Sequence, residues 1–453
     1  MSAISYAHDH REESLTQLKQ FLRIPSISTL SEHQEDMQRA AKWLANELES
    51  VGLQHIEISP TGGHPILYAD WLHAPEAPTV LLYGHYDVQP ADPLELWHTP
   101  PFEPTERAGN LYARGSSDDK GQLFVHLKAL EALMQSTGRL PVNIKCMFEG
   151  EEEVGGENLA PWIDRHRERL EADVAVISDT HILAEDQPTI VYGLRGLSYL
   201  EVHVEAAKSD LHSGIYGGAV HNPIQALAEL IAQLHDENGS VTVPGFYDKV
   251  LPLDEAERAE LARIPYSEET LIHETGVTMA WGESEYSVVE RVSARPTLEM
   301  NGIWGGFAGE GAKTVLPAKA GAKLSMRLVP NQEPEEIAKL VSEHLKQLAP
   351  PTVRIEVHNL HGGDGAIIPR DIPAMQAAHA AYEESFGVSP IFVREGGSIP
   401  VVAALQKKLD IHTVLLGFGL PDDNLHAPNE KMSIAMFYKG IETAIRFYEK
   451  MAA

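Results

Sequence analysis

Residues 79–87 read Thr-Val-Leu-Leu-Tyr-Gly-His-Tyr-Asp, and this stretch holds the logic of the whole chain. Its apolar half, 79–83, shows no polar–apolar alternation, as expected of a strand covered on both faces. Its polar half places an imidazole and a carboxylate, His85 and Asp87, directly after that strand. Three further runs, 142–148, 174–177 and 413–416, repeat the apolar signature. Apolar residues recur at helical spacing in 13–21 and 36–51, ahead of these runs, and in 121–135, between two of them. Strands and helices in this order predict an α/β architecture, a mostly parallel sheet with helices on both faces.

The middle of the chain has a different texture. Residues 199–205 (YLEVHVE), 323–329 (KLSMRLV) and 352–358 (TVRIEVH) alternate apolar and polar positions, as strands with one face in water do. Asn222 and Pro223 open a helix over 224–234, the first as N-cap and the second in the first turn. A second helix is expected over 334–348. The pattern predicts a small α+β domain at 195–363, inserted into a larger one made of 1–194 and 364–453.

Composition narrows the function classes. The 453 residues leave room for two or three domains. Lys plus Arg is 36 and Asp plus Glu is 66, so the formal net charge is 36 − 66 = −30. That balance repels phosphate backbones and anionic lipid, so neither nucleic acid nor a membrane surface is expected as partner. The lone cysteine, Cys146, excludes an intramolecular disulfide and a multi-thiolate zinc site; it reads as a buried thiol. With no apolar signal core and no run near ~18 apolar residues, a cytoplasmic protein is expected. Any metal would fall to the 22 histidines and the carboxylates.

Such groups recur at strand ends and at one helix entry. His85 and Asp87 follow VLLYG, Asp118 and Asp119 open the helix at 121–135, and Glu151, Glu152 and Glu153 follow IKCMFEG. Asp179 follows VAVIS, and His426 comes shortly after TVLLGFG. Taken singly, each has an ordinary reading: a surface accident, an N-cap, a solvated charge run, a turn residue. Taken together they fit the rule that open α/β sheets bind ligands outside the carboxyl ends of their strands. Two imidazoles and three carboxylates suit Zn²⁺ or Mn²⁺, with a carboxylate to spare as general base. His85 and Asp87 share one face of an extended strand, so Asp87 can accept the second imidazole N–H.

These segments, LLYGHYDVQP, ARGSSDDKG, FEGEEEVGG, ISDT, DLHSGIYGG, REGGSIPV and LHAPNEKM, resemble in order the di-metal aminoacylase and dipeptidase family of metallopeptidases. Within it the chain is most similar to the cytosolic non-specific, carnosine-type dipeptidases. The resemblance implies a zinc-peptidase catalytic domain and a ferredoxin-like lid and dimerisation domain. It implies that Asp118 bridges two divalent ions, zinc or else manganese or cobalt. His85 and Asp179 would complete one coordination sphere, Glu153 and His426 the other. Glu152 would be the general base, Asp87 the partner of His85, and the Asp118–Asp119 peptide cis. His212 would stabilise the oxyanion in the partner subunit of a homodimer. Thr314, Arg327, Gly397 and Ser398 would hold the substrate, Arg327 facing its carboxylate.

The implied reaction is hydrolysis of the peptide bond of a dipeptide or short peptide by a metal-activated water. Two other readings stay open at this point: the same chemistry on an N-acyl amino acid, and a catalytically silent metal-binding scaffold. The sequence also departs from the family's pattern. The acidic run is three long, with Glu152 and Glu153 chosen because Val154-Gly155 follows them. Asp422 and Asp423 precede the last ligand, and 361–371 is unlike the carnosine-type enzymes.

Overall fold

The computed structural model describes residues 1–397 and 399–452, and the chain forms two compact units. The first comprises Met1–Tyr192, Ile368–Val393 and Pro400–Ala453; the second comprises Gly193–Ile367 with Arg394–Ile399.

At the centre of the first unit four strands lie side by side and run parallel: Asn143–Glu149, Thr79–His85, Val174–Ile177 and Thr413–Leu415. All four grow from the apolar runs seen in the sequence. Every residue of Val174–Ile177 and Thr413–Leu415 is buried, so both faces of the sheet are covered. The edges are antiparallel. Gln54–Ser59 and Ile66–Trp71 extend one side, and Thr189–Leu194 pairs with Thr413–Leu415 on the other. The pattern at 54–59 gave no clear strand signal because that strand is half-exposed and polar.

The helix Lys120–Thr137 packs against the C-terminal helix Ile434–Met451, and a run of neutral hydrogen bonds joins both to the sheet. Nδ1 of the fully buried His126 lies 2.9 Å from the Tyr448 hydroxyl, and its Nε2 lies 2.7 Å from Ser178 Oγ. The Ser178 hydroxyl donates to the carbonyl of Leu416, so its oxygen accepts from Nε2–H and the Tyr448 hydroxyl donates to Nδ1. Burial pushes His126 down to about 3, so the ring is neutral wherever the protein is folded.

In the second unit, the main elements run strand, helix, strand, strand, helix, strand: Gly196–Glu205, Pro223–Ala232, Thr297–Gly305, Lys319–Leu328, Pro334–Leu348 and Arg354–Gly363. The sheet order is Thr297–Gly305, Lys319–Leu328, Gly196–Glu205, Arg354–Gly363, all antiparallel, which is the ferredoxin-like arrangement. Gly196–Glu205 alternates buried and half-buried residues. Its inward side chains Leu200, Val202 and Val204 share a core with Leu227, Leu230, Ile337 and Val341 of the two helices. The expected Asn222 cap is present, its side chain accepting from the Ile224 N–H at 2.9 Å.

Two features of this unit differ from the sequence reading. Short helices Glu255–Leu261, Glu268–Thr275 and Val288–Ser293 fill the interval before the second strand, the last one opened by a Ser287–Glu290 capping box. The segment Arg394–Ile399, which 364–453 would assign to the larger domain, clusters with the second unit. There Arg394 pairs with the buried Glu257, and Arg195 Nε donates to the Gly396 carbonyl at 3.3 Å.

His126 makes a prediction for acid unfolding. Its folded pKa lies below the unfolded value near 6.5, so the unfolded chain binds the extra proton and stability falls as pH drops below 6.5. Between pH 6.5 and pH 5 this one group is expected to cost about 2 kcal/mol. Urea unfolding of wild type and His126→Gln at both pH values checks it; the variant should lose less stability over that interval.

Candidate metal centre

The parallel strands point their carboxyl ends to one edge, and the chemistry collects there. His85 is the last residue of Thr79–His85, and the Glu152–Val154 turn follows Asn143–Glu149. Asp179 lies two residues past Val174–Ile177, and Asp118 precedes the helix Lys120–Thr137. Two close approaches shape the edge. A Cβ on Gly84 would sit 2.7 Å from Leu123 Cδ1, and one on Gly121 would sit 1.8 Å from the Ser116 carbonyl oxygen. Only glycine lets strand, turn and helix crowd together here.

The side chains form two triads that share a carboxylate: His85, Asp118 and Asp179, and Asp118, Glu153 and His426. His85 Nε2 lies 3.1 Å from Asp118 Oδ1 and 3.9 Å from Asp179 Oδ2. His426 Nε2 lies 2.9 Å from Asp118 Oδ2 and 3.2 Å from Glu153 Oε2. On its other side, His85 Nδ1 is 3.1 Å from the Asp87 carbonyl oxygen and 3.3 Å from Asp87 Oδ1. Asp87 Oδ2 accepts the Glu153 N–H at 3.1 Å, tying the imidazole's support to the acidic turn. The Asp118–Asp119 peptide is cis.

The three glutamates of the turn divide the work. Glu151 accepts from Asn158 Nδ2 with both oxygens, at 3.1 and 2.9 Å. Glu153 reaches the second triad while accepting from Gln89 Nε2 at 2.8 Å. Glu152 joins neither triad. Burial, with Glu153, Asp118 and Asp87 nearby, outweighs His85 and raises its pKa to about 7. Asp119 and Asp179 are pushed up by burial and by neighbouring carboxylates. Burial disfavours the charged forms of Asp118 and His85 as well, but each is overruled by its partners. The two imidazoles hold Asp118 below the usual range, and Asp118 with Asp87 holds His85 well above it.

This is a packed set of acids with too little positive charge, and the donors are imidazole nitrogen and carboxylate oxygen. The buried His85 Nε2 has no hydrogen-bond partner of good geometry among the described residues. A divalent cation in each triad would satisfy that nitrogen and offset the charge surplus, so the residues fit the metal that the sequence implied.

Comparison with known proteins agrees. Residues 81–450 match the model of peptidase family M20/M25/M40. The chain belongs to that family. It is 34% identical to a Cys-Gly metallodipeptidase of Schizosaccharomyces pombe, over 98% of this chain and 96% of that one. It is 31% identical to the human Beta-Ala-His dipeptidase, over 99% and 92%. A family M20 metallo-carboxypeptidase of Sulfolobus solfataricus superposes with a TM-score of 0.84 at 33% identity, covering 97% of this chain and 99% of that one. Divalent metal binding is therefore a property of the family to which these triads belong.

The expected substrate-holding residues belong to the second unit. His212 is exposed on a two-residue strand opposite Val315, and its Nδ1 accepts the Gly214 N–H at 3.0 Å. Thr314 adjoins it, its carbonyl accepting the Ser213 N–H at 3.1 Å. The Arg327 side chain makes no hydrogen bond or ion pair among the described residues, so no acid on its own strand holds it. It lines a cavity of about 610 Å³ together with Arg195. Burial, and then Arg327 itself, lowers Arg195 to about 10, so an anion between the two guanidiniums would be stabilised. Gly397 is exposed with open space around its α-carbon; Ser398 lies outside the described residues.

Two acids have roles that spacing did not signal. Glu430 is fully buried and accepts the backbone N–H groups of Gly115 (2.9 Å), Ser117 (3.0 Å) and Asp118 (3.1 Å), plus Arg114 Nη1 at 2.7 Å. It shapes the turn that carries Asp118 from 312 residues away in sequence. Asp423, one of the two acids before the last ligand, is buried and occupied, accepting from Ser117 Oγ and the Leu420 N–H, each at 2.8 Å. Asp422 is exposed and pairs with Lys431 at 3.0 Å.

Glu430→Gln should therefore weaken divalent-ion affinity by roughly 10–100-fold, although Glu430 touches no ligand atom. Calorimetric titration of the chelator-treated protein with Zn²⁺ measures it. Unchanged affinity in a folded variant would show that the turn holds its shape without this carboxylate.

Proposed function

We propose that the protein hydrolyses the peptide bond of dipeptides and other short peptides, using two divalent cations per chain. Zinc is the first choice among those cations, with manganese or cobalt as substitutes. The observation that carries the reading is the pair of triads sharing Asp118, with the unligated Glu152 in electrostatic reach of both. His85 and Asp179 would hold one ion, Glu153 and His426 the other, and Asp118 both. Bound cations supply a lowered water pKa at neutral pH and Lewis-acid polarisation of a carbonyl.

The chain's own residues do the rest. Glu152 takes a proton from the attacking water and returns it to the leaving nitrogen, a task suited to a buried carboxyl that belongs to neither triad. Asp87 fixes the tautomer of His85 so that Nε2 is the ligand atom. His212, with Nδ1 already accepting from Gly214, carries its proton on Nε2 and can donate it to the developing oxyanion. Thr314, Gly397 and Ser398 hold the substrate, and Arg327 takes its C-terminal carboxylate through a bidentate fork. A homodimer formed through the second unit would let His212 act in trans. A cytoplasmic location goes with this reading; the single thiol, Cys146, is buried and unpaired, and no helix among the described residues is long and apolar enough to cross a membrane.

The test is product release from Cys-Gly, Ala-Ala, β-Ala-His and N-acetyl-Met after dialysis against chelator and readdition of Zn²⁺ or Mn²⁺. The free dipeptides should be cleaved only with metal present. Cleavage of N-acetyl-Met alone would replace the dipeptidase with a deacylase. Glu152→Ala should lower kcat by roughly 10²–10⁴-fold with metal content unchanged. Metal analysis adds a second check: His426→Ala should retain one ion per chain, and Asp118→Ala neither.

A further inference from the structure

We propose that a small acidic cavity beside Glu152 receives the free α-amino group of the substrate, with the Glu149 carboxylate as its acceptor. This rests on the dipeptidase reading and supplies what that reading lacks, a group that recognises the substrate's ammonium.

The cavity lies wholly within the first unit and has a volume of about 240 Å³. Glu149, Glu152 and Glu157 all line it, and among the described residues no lysine, arginine or histidine does. Glu149 ends the strand Asn143–Glu149 and is 2% exposed. Its Oε2 accepts from the Tyr83 hydroxyl at 2.7 Å, while its Oε1 is buried with no hydrogen-bond partner among the described residues. The backbone leaves room around that oxygen because residue 156 is glycine; a Cβ there would lie 2.8 Å from Oε1. Burial raises Glu149 to about 8, and Asp87 and Glu152 add to the effect. An orphaned acceptor in an acid-lined cavity fits a group that brings both donors and positive charge.

An ammonium brings three N–H donors, of which Glu149 Oε1 can take one and the Tyr83 hydroxyl oxygen another. Covalent geometry makes the location apt. The amino nitrogen of a dipeptide is two bonds from the scissile carbonyl carbon, about 2.5 Å away. Its subsite must therefore adjoin the base that activates the attacking water, and Glu152 forms part of this cavity's wall. Ala160 and Ala404 line it as well, leaving space for a modest N-terminal side chain.

The test compares Ala-Ala with its des-amino analogue propionyl-Ala in wild type and Glu149→Gln, which keeps the shape and cannot become a carboxylate when an ammonium arrives. The variant should raise KM for Ala-Ala about tenfold and leave KM for propionyl-Ala within about twofold, collapsing the discrimination. Calorimetric titration of the metal-free chain with n-butylammonium chloride gives a readout independent of turnover. Wild type should bind the cation and Glu149→Gln should not. Should Glu149→Gln fail to fold, Ala404→Leu serves instead; it should weaken n-butylammonium binding and raise KM for Leu-Ala more than for Gly-Ala. Equal KM shifts for both alanyl substrates, or n-butylammonium binding absent from wild type or unchanged in the variants, would overturn the proposal. If wild type cleaves neither alanyl substrate, the dipeptidase reading fails, and the n-butylammonium titration alone decides the cavity.

Discussion

The Asp118 carboxylate is shared by two imidazoles, 3.1 Å from His85 Nε2 through one oxygen and 2.9 Å from His426 Nε2 through the other. For one carboxylate to serve both, its backbone must be fixed, and a short turn cannot fix itself. Glu430 does so by accepting three consecutive-region N–H groups, those of Gly115, Ser117 and Asp118. Arg114 lies against the same carboxylate and limits the cost of burying it; even so, burial raises Glu430 to about 7. The glycines at 84 and 121 then let strand, turn and helix close on that point.

The electrostatics around Asp118 explain why a site of this kind belongs with cations. Burial raises the pKa of Asp119, Glu152 and Asp179, and Asp118 beside them raises all three further. The protein keeps them together because the fold's stability resides elsewhere, in covered strands and in neutral links such as Tyr448–His126–Ser178. Strain concentrated at a functional site and offset by an ordinary core is a common economy in enzymes. The second unit repeats the theme with opposite sign, placing Arg327 and the buried Arg195 on one cavity.

Much of this was legible in the residues. The runs at 79–83, 142–148, 174–177 and 413–416 are apolar on both faces because helices cover both faces, and a one-dimensional pattern records that directly. The alternation at 199–205 and the Asn222-Pro223 helix start are equally local facts, and the structure has the corresponding strand and helix at Gly196–Glu205 and Pro223–Ala232. Strand Gln54–Ser59 was not legible, because an exposed polar edge strand has no burial pattern to print. The Ser287–Glu290 capping box, by contrast, is a local signal that opens the helix Val288–Ser293.

By itself the sequence determined the supply of ligand types, the absence of thiolate clusters and the placing of acids and imidazoles after apolar runs. Those properties depend on residue identity and on spacings of a few positions. Tertiary structure decided which acid faces which group. It turned Glu151 toward Asn158 and Glu153 toward His426, occupied Asp423 with Ser117, and left Glu149 Oε1 without a partner at the edge of a cavity. The reason is physical. A carboxylate's role is set by the donors and the solvent within a few ångströms of it, and in this fold a donor such as Arg114 lies 316 positions from the Glu430 it serves.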